Sequence, residues 1–190
     1  QHVGDGAIPP TLIVLDEVQE YINSGLGHDA EVRHLVEAVT RLAAASPSRL
    51  RILEIGGGRG TLTWPLLEAL QGRADYHFTD LGKVFLDDAA EEAARRGLAA
   101  SLTFGPLDIS LDPRAQGLDA GGFDLVVGFN VVHAAPDVPA ALRNLAALLA
   151  PGGVIGLVEV VKTRRWDTLT WGLAEGWWHH ADALRERSPL

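Results

Sequence analysis

The 190-residue sequence contains no cysteine and no methionine. Without cysteine, disulfides and thiolate metal sites are excluded, and a reducing cytoplasm is the default expectation. The lack of methionine extends to the first position, where Gln1-His2-Val3 stands. That is expected of a domain cut from a longer polypeptide; residues left out of the sequence, such as modified methionines, would have the same effect. Spacings inside a motif therefore carry more weight than spacings across loops. Cations are also few, 16 Lys and Arg against 25 Asp and Glu, for a net charge of −9. A phosphate-backbone partner usually needs a basic face, so no nucleic-acid partner is expected. Small anionic ligands, held by local dipoles, remain open. No apolar run reaches the ~18 residues needed to span a bilayer, and no signal-peptide pattern is present, so no membrane role is expected. What is present is 47% hydrophobic and 22% charged residues, the make-up of a folded globular domain with a real core.

Residues 1–10 are rich in Gly and Pro and read as a leading arm. Thr11 to Ser24 and Asp29 to Ala45 both have helical character. In the second, Val32, Leu35, Val36, Val39, Leu42 and Ala43 follow the spacing of one buried face. Ser46-Pro47-Ser48 breaks it. From Leu50 strands and helices alternate. Strands are predicted at Arg51–Ile55, Tyr76–Thr79, Leu102–Leu107, Phe123–Phe129 and Val154–Val161. Helices are predicted at Thr61–Leu70, Lys83–Arg96 and Asp137–Leu149, the last burying Leu142, Leu145, Ala146 and Leu149. This alternation predicts an α/β fold, a Rossmann-like doubly wound parallel sheet. Residues 1–48 would form a short N-terminal helical lid and 49–190 the core. The fifth strand is apolar throughout, as an interior strand should be. Nothing after Val161 reads as a strand, so C-terminal antiparallel strands beyond residue 190 are expected to cover that edge.

In such sheets ligands sit beyond the carboxyl ends of the strands, where strand order reverses. The first strand there meets "LEIGGGRGT". A phosphate-cradling GxxxxGK[ST] loop is ruled out, because no Gly-Lys-Ser/Thr follows. The dinucleotide pattern GxGxxG started at Gly56 meets Thr61, and started at Gly58 meets Thr63. What fits is Glu54-x-Gly56-x-Gly58-x-Gly60, with Gly57 between. Taken alone, this also suits a tight strand-to-helix turn in another α/β protein. The pattern resembles the first motif of class I S-adenosylmethionine-dependent methyltransferases, where bare glycines let the backbone approach an amino-acid moiety and ribose. Asp80 ends the second strand, followed by Leu81, and an acidic group there can accept both ribose hydroxyls. NAD-binding proteins share that feature. Asp108 ends the third strand, where the resemblance places a carboxylate near the adenine amine, with Ile109 against the ring. Asn130 ends the fourth. Each aspartate singly would also serve as a loop cap.

The stretches "FNVVHAAPD", "LVEVVK" and "LTWGLAEGWWHHADALRERSPL" resemble, from about Leu50 onward, the methyltransferase domains embedded in polyketide synthases. The GLxEGWW tail is the most specific of these signals. The resemblance implies S-adenosylmethionine as cofactor, S-adenosylhomocysteine as product and no metal. It also implies phosphopantetheine-bound acyl carrier protein and neighbouring synthase domains as partners, and a catalytic histidine–glutamate pair at His133 and Glu159. Neighbouring strand ends lie about 5 Å apart, so a carboxylate on the fifth can hold an imidazole after the fourth in one tautomer. His133 would then take a proton from the attacking nucleophile. Without the resemblance, a helix-capping histidine and a carboxylate on a backbone amide are the plainer reading. Trp171, Trp177 and Trp178 stand equally well for an acyl tunnel and for core. Lys162, Arg164 and Arg165 read as a solvated cluster, and the [DN]PP[YF] signature of nucleic-acid amino methylases is absent.

The acceptor is expected to be a β-hydroxyl or enol oxygen, because only 49 residues precede Leu50 and a short lid implies an open site. C-methylation at the α-carbon of a β-ketoacyl thioester is the alternative. An inactive structural pseudo-methyltransferase and a free-standing small-molecule methyltransferase are others. His133→Ala is expected to abolish transfer, and Glu159→Gln to be milder.

Overall fold

The computed structural model describes residues 11–16 and 29–159. The apolar runs that collide with glycine or turn residues become parallel strands, and the runs with helical spacing pack on them. The strands are β1 (Thr11–Asp16), β2 (Leu50–Ile55), β3 (Ala74–Asp80), β4 (Leu102–Pro106), β5 (Phe123–Phe129) and β6 (Leu149–Glu159). The helices are α1 (Asp29–Ala45), α2 (Thr63–Leu70), α3 (Lys83–Arg95) and α4 (Val138–Leu148), the last capped by the Asp137 carboxylate on the Ala140 amide. One sheet forms, in the order β1-β6-β5-β2-β3-β4, and every pairing is parallel.

Two apolar clusters show how the sheet is wound. Val32, Leu35, Val39 and Ala43 of α1 share one with Leu66 and Leu70 of α2, Ala89 and Ala93 of α3, and Ile52, Tyr76 and Phe78 of the sheet. Leu145 and Leu148 of α4 share the other with Leu53, Ile55, Val126, Ile155 and Leu157. Alternate residues of each strand thus face opposite layers, which is why β2 and β5 carry apolar residues at consecutive positions, Ile52-Leu53 and Leu125-Val126-Val127. The chain leaves β2 toward β3 and β4, then returns to β5 on the other side of β2. The reversal therefore lies between β2 and β5, and the candidate site lies at their carboxyl ends.

Two expectations change. Thr11–Asp16 is a strand, not the start of a helix; its partner is β6, in register from Thr11 opposite Val154 to Asp16 opposite Glu159. An apolar run of four residues, Leu12 to Leu15, has no periodicity to separate the two forms, and pairing decides it. Among the described residues, β1 lies beside β6, the predicted fifth strand, and meets its interior character on that side. Leu42, predicted on the buried face of α1, is 44% exposed, because Val32, Leu35, Val39 and Ala43 already fill the stripe and Leu42 falls at its margin. The rest of the predicted first helix, 17–24, lies outside the described residues, as do residues 160 and 161.

Candidate active site

The turn out of β2 brings the glycine loop against two neighbouring strand ends, those of β3 and β5. Gly57 N–H donates to the Thr79 carbonyl at 2.9 Å, and Gly60 N–H to the Gly57 carbonyl at 2.8 Å. A Cβ at Gly57 would lie 2.2 Å from the Phe78 ring, and one at Gly56 would lie 2.2 Å from Val131 beyond β5. These glycines let strands close in. Gly58 differs. Its φ is +52°, in the left-handed region, and a Cβ there meets nothing nearer than the Gly56 carbonyl at 3.9 Å. The bare face at Gly58 opens outward, a cradle that a side chain would fill and a ligand can approach.

Asp80 closes β3 and is buried. One carboxylate oxygen accepts the Gly58 N–H at 2.9 Å and the other the Gly82 N–H at 2.8 Å. Each oxygen keeps a further acceptor position, and a pair of acceptors is what the two hydroxyls of a ribose diol require. The following Leu81 is 70% exposed, an apolar side chain left in solvent at the same edge. Asp108 follows β4 and accepts the Ser110 N–H on Oδ1 at 2.8 Å, while Ile109 packs partly buried on the α4 side. Asn130, just past β5, takes φ +56°, a conformation asparagine tolerates better than most residues. Its N–H donates to the Val158 carbonyl of β6 at 2.7 Å.

Glu54 does not reach into that cradle. It is 1% exposed, turned under α2, where its Oε2 accepts the Thr63 hydroxyl at 2.6 Å and the Tyr76 hydroxyl at 2.9 Å. Burial pushes its carboxyl up to about 7; the Thr63 and Tyr76 bonds oppose the rise and the Asp80 charge adds to it. Burial first, and then the Glu54 charge, hold the Tyr76 phenol well above its usual value. Thr63 and Tyr76 escaped the sequence reading. Period-two alternation does place Tyr76 and Glu54 on one sheet face, which was the available signal.

His133 lies in a single 3-10 turn, Val132–Ala134, after β5. Its Nδ1 is 2.7 Å from Glu159 Oε2 at the end of β6. Glu159 is buried, and its Oε1 accepts the Val131 N–H at 2.8 Å and the Val132 N–H at 2.7 Å. One carboxylate thus shapes the turn and orients the ring it carries. With both oxygens accepting, Nδ1 donates and the neutral ring carries its lone pair on Nε2. Because Val131 also packs on Gly56, the histidine turn and the glycine loop are one assembly. Trp171, Trp177, Trp178, Lys162, Arg164 and Arg165 lie outside the described residues. Among the described residues, no group of three His, Asp or Glu side chains comes together to hold a metal ion. No helix there is long and apolar enough to cross a membrane.

Residues 53–155 match the family described as Methyltransferase domain. A highly reducing polyketide synthase of Emericella nidulans, easB, is 40% identical over 147 residues, covering 75% of this chain and 6% of that protein. The solved structure of the CurJ carbon methyltransferase superposes with a TM-score of 0.74 at 33% identity, covering 93% of this chain and 50% of that one. The DszA carbon methyltransferase gives 0.73 at 35% identity, covering 85% and 44%. The chain therefore spans about half the length of these solved proteins and a small part of the synthase it matches.

Proposed function

The chain belongs to the methyltransferase-domain family found in polyketide synthases, and on that premise we propose that it methylates the α-carbon of a carrier-bound β-ketoacyl thioester, with His133 as base. As an S-adenosylmethionine-dependent enzyme of that family, it needs a cofactor cradle and a base. The observation that carries the reading is the 2.7 Å contact between His133 Nδ1 and Glu159 beside the glycine loop. The cofactor supplies, when bound, an electrophilic methyl on a sulfonium that departs as S-adenosylhomocysteine. Gly58 and Asp80 would hold its amino-acid and ribose parts, and Leu81, Asp108 and Ile109 its adenine. Asn130 would line the cradle from β5.

The chain's own chemistry is then proton removal and aim. His133 Nε2 takes the acidic proton between the two carbonyls of the substrate, the C–H pair becomes an enolate, and that pair forms the new carbon–carbon bond. Glu159 keeps Nδ1 protonated, so the positive charge that develops on the ring faces a carboxylate. Positioning by the loop supplies the remainder, because in-line approach is a matter of about 1 Å.

Carbon is favoured by the CurJ and DszA structures, both carbon methyltransferases. Oxygen is the second reading, since an enolate is nucleophilic at both ends and the same imidazole serves either. The count of residues before the glycine loop, which favours oxygen in the sequence, carries no weight in a chain spanning half of the CurJ structure. Phosphopantetheine-bound carrier protein and neighbouring synthase domains are the proposed partners. The test is methylation of a carrier-bound β-ketoacyl substrate with ¹³C-methyl-labelled cofactor, read by NMR. A methyl branch on the α-carbon supports the proposal, and a methoxy resonance moves it to oxygen. No binding heat on titrating S-adenosylmethionine would leave an inactive structural domain.

A further inference from the structure

The segment after β4 has no helix of its own to rest on. Between Pro106 and Phe123 the chain makes only a 3-10 turn, Pro113–Gln116, and β4 is the last strand of the sheet. Asp108 and Ile109 therefore have no ladder partner, and the one backbone bond at Asp108 is the Leu111 N–H on its carbonyl at 3.2 Å. Two carboxamides take that place. Gln116 Oε1 accepts the Asp108 N–H at 2.8 Å, and its Nε2 donates to the Asp108 carbonyl at 2.9 Å and the Asp112 carbonyl at 3.4 Å. The side chain of Gln116 thus pairs with both polar backbone atoms of Asp108, as a neighbouring peptide group would in a ladder. Asn144, on α4, sends its Nδ2 to the Ile109 carbonyl at 2.9 Å and the Leu111 carbonyl at 3.0 Å. Carboxamides suit this work because they carry donor and acceptor without a charge to desolvate.

All these bonds converge on one short stretch. They leave the Asp108 carboxylate with Oδ1 on the Ser110 N–H and, among the described residues, no donor on Oδ2. An acceptor held on a fixed backbone is what discriminates an exocyclic amine from a carbonyl on a purine ring. A swinging one would accept from water as readily. We propose that Gln116 and Asn144 are positioning residues that confer purine selectivity, holding the Asp108 carboxylate and Ile109 so that the site takes a 6-amino and rejects a 6-oxo purine. The assignment rests on the reading of Asp108 as the adenine contact.

The test is calorimetric and needs no turnover. Dissociation constants for S-adenosylhomocysteine and for its 6-oxo counterpart, S-inosylhomocysteine, are measured on the complete chain and its variants. The unsubstituted chain should prefer the amino form by at least about tenfold, the scale of one hydrogen bond to a charged acceptor. Gln116→Met and Asn144→Leu fill similar volumes without the bonds. Gln116→Met should narrow the preference to within about threefold, and Asn144→Leu should narrow it part of the way. Leu142→Ala, a packing change on the same helix, should weaken both ligands alike and leave their ratio unchanged. A Gln116→Met variant that keeps the full preference overturns the proposal. If Asp108→Ala also keeps it, the reading of Asp108 falls with it; if only Asp108→Ala loses it, that reading stands and the positioning role alone is wrong. Far-UV circular dichroism and melting of each variant separate a lost fold from a lost preference.

Discussion

Glu159→Gln replaces one oxygen by an NH2 group and changes nothing in size, and the geometry makes its effect large. Oε1 accepts two backbone N–H groups, from Val131 and Val132, at 2.8 and 2.7 Å. Only an oxygen can do that. Turning the NH2 toward them would leave two donors facing donors, at roughly 1–3 kcal/mol each. The carboxamide oxygen therefore stays there and the NH2 faces His133 Nδ1, which is 2.7 Å from Oε2 in the unsubstituted protein. All three bonds of residue 159 are still made if the ring proton moves to Nε2, so the other tautomer is favoured. The nitrogen proposed to take a proton then carries one. Losing a positioned base lowers turnover by about 10²–10⁴-fold, so the variant should approach His133→Ala rather than be mild, as orientation alone would suggest. The assay is single-turnover transfer to a carrier-bound acyl chain, followed by intact mass, with ¹⁵N NMR of the histidine ring. Turnover within about threefold of the unsubstituted protein, or a ring still protonated on Nδ1, would refute the reasoning.

Other expectations follow from the buried carboxyls and the loop. Glu54 holds its proton in the folded state up to about 7, against 4.5 for the ordinary group. Folded protein therefore binds more protons between those values, and stability falls as pH rises through that window, by on the order of 3 kcal/mol. Denaturant titrations at pH 5 and pH 8 should show this fall, and Glu54→Gln should flatten it; an equal slope in both proteins contradicts the assignment. Asp80→Ala should weaken S-adenosylmethionine by ~1–3 kcal/mol through lost bonds to a charged acceptor; unchanged calorimetric affinity would remove Asp80 from the site. Gly57→Ala puts a methyl 2.2 Å from the Phe78 ring and should lower the melting temperature by several degrees. Gly58→Ala meets open space and should cost only about 1–2 kcal/mol of left-handed strain, while losing cofactor affinity; equal effects of the two on binding would contradict the outward-facing cradle.

Much of the architecture is local in origin and was legible in the chain. Strand–helix alternation from Leu50 onward needs only periodicity and breakers, and β5, β2 and α4 fall within a residue or two of their predicted bounds. Glu54-x-Gly56-x-Gly58-x-Gly60 marks the turn because few residues but glycine tolerate the left-handed φ values found at Gly56, Gly58 and Gly60. His133 and Glu159 are named as a pair through the resemblance to polyketide-synthase methyltransferase domains, and the parallel pairing of β5 and β6 makes their meeting possible. Tertiary structure alone decided what depends on partners distant in sequence. Thr11–Asp16 became a strand because β6 offered it a ladder. Glu54 turned inward because Thr63 and Tyr76, nine and 22 residues away, met it under α2. Glu159 took two backbone amides besides the imidazole, and Gln116 and Asn144 took the backbone after β4. Periodicity reports which face of an element is apolar. Where a buried polar group finds its hydrogen bond is settled only when the elements pack, since burying it without one costs free energy that packing alone does not return.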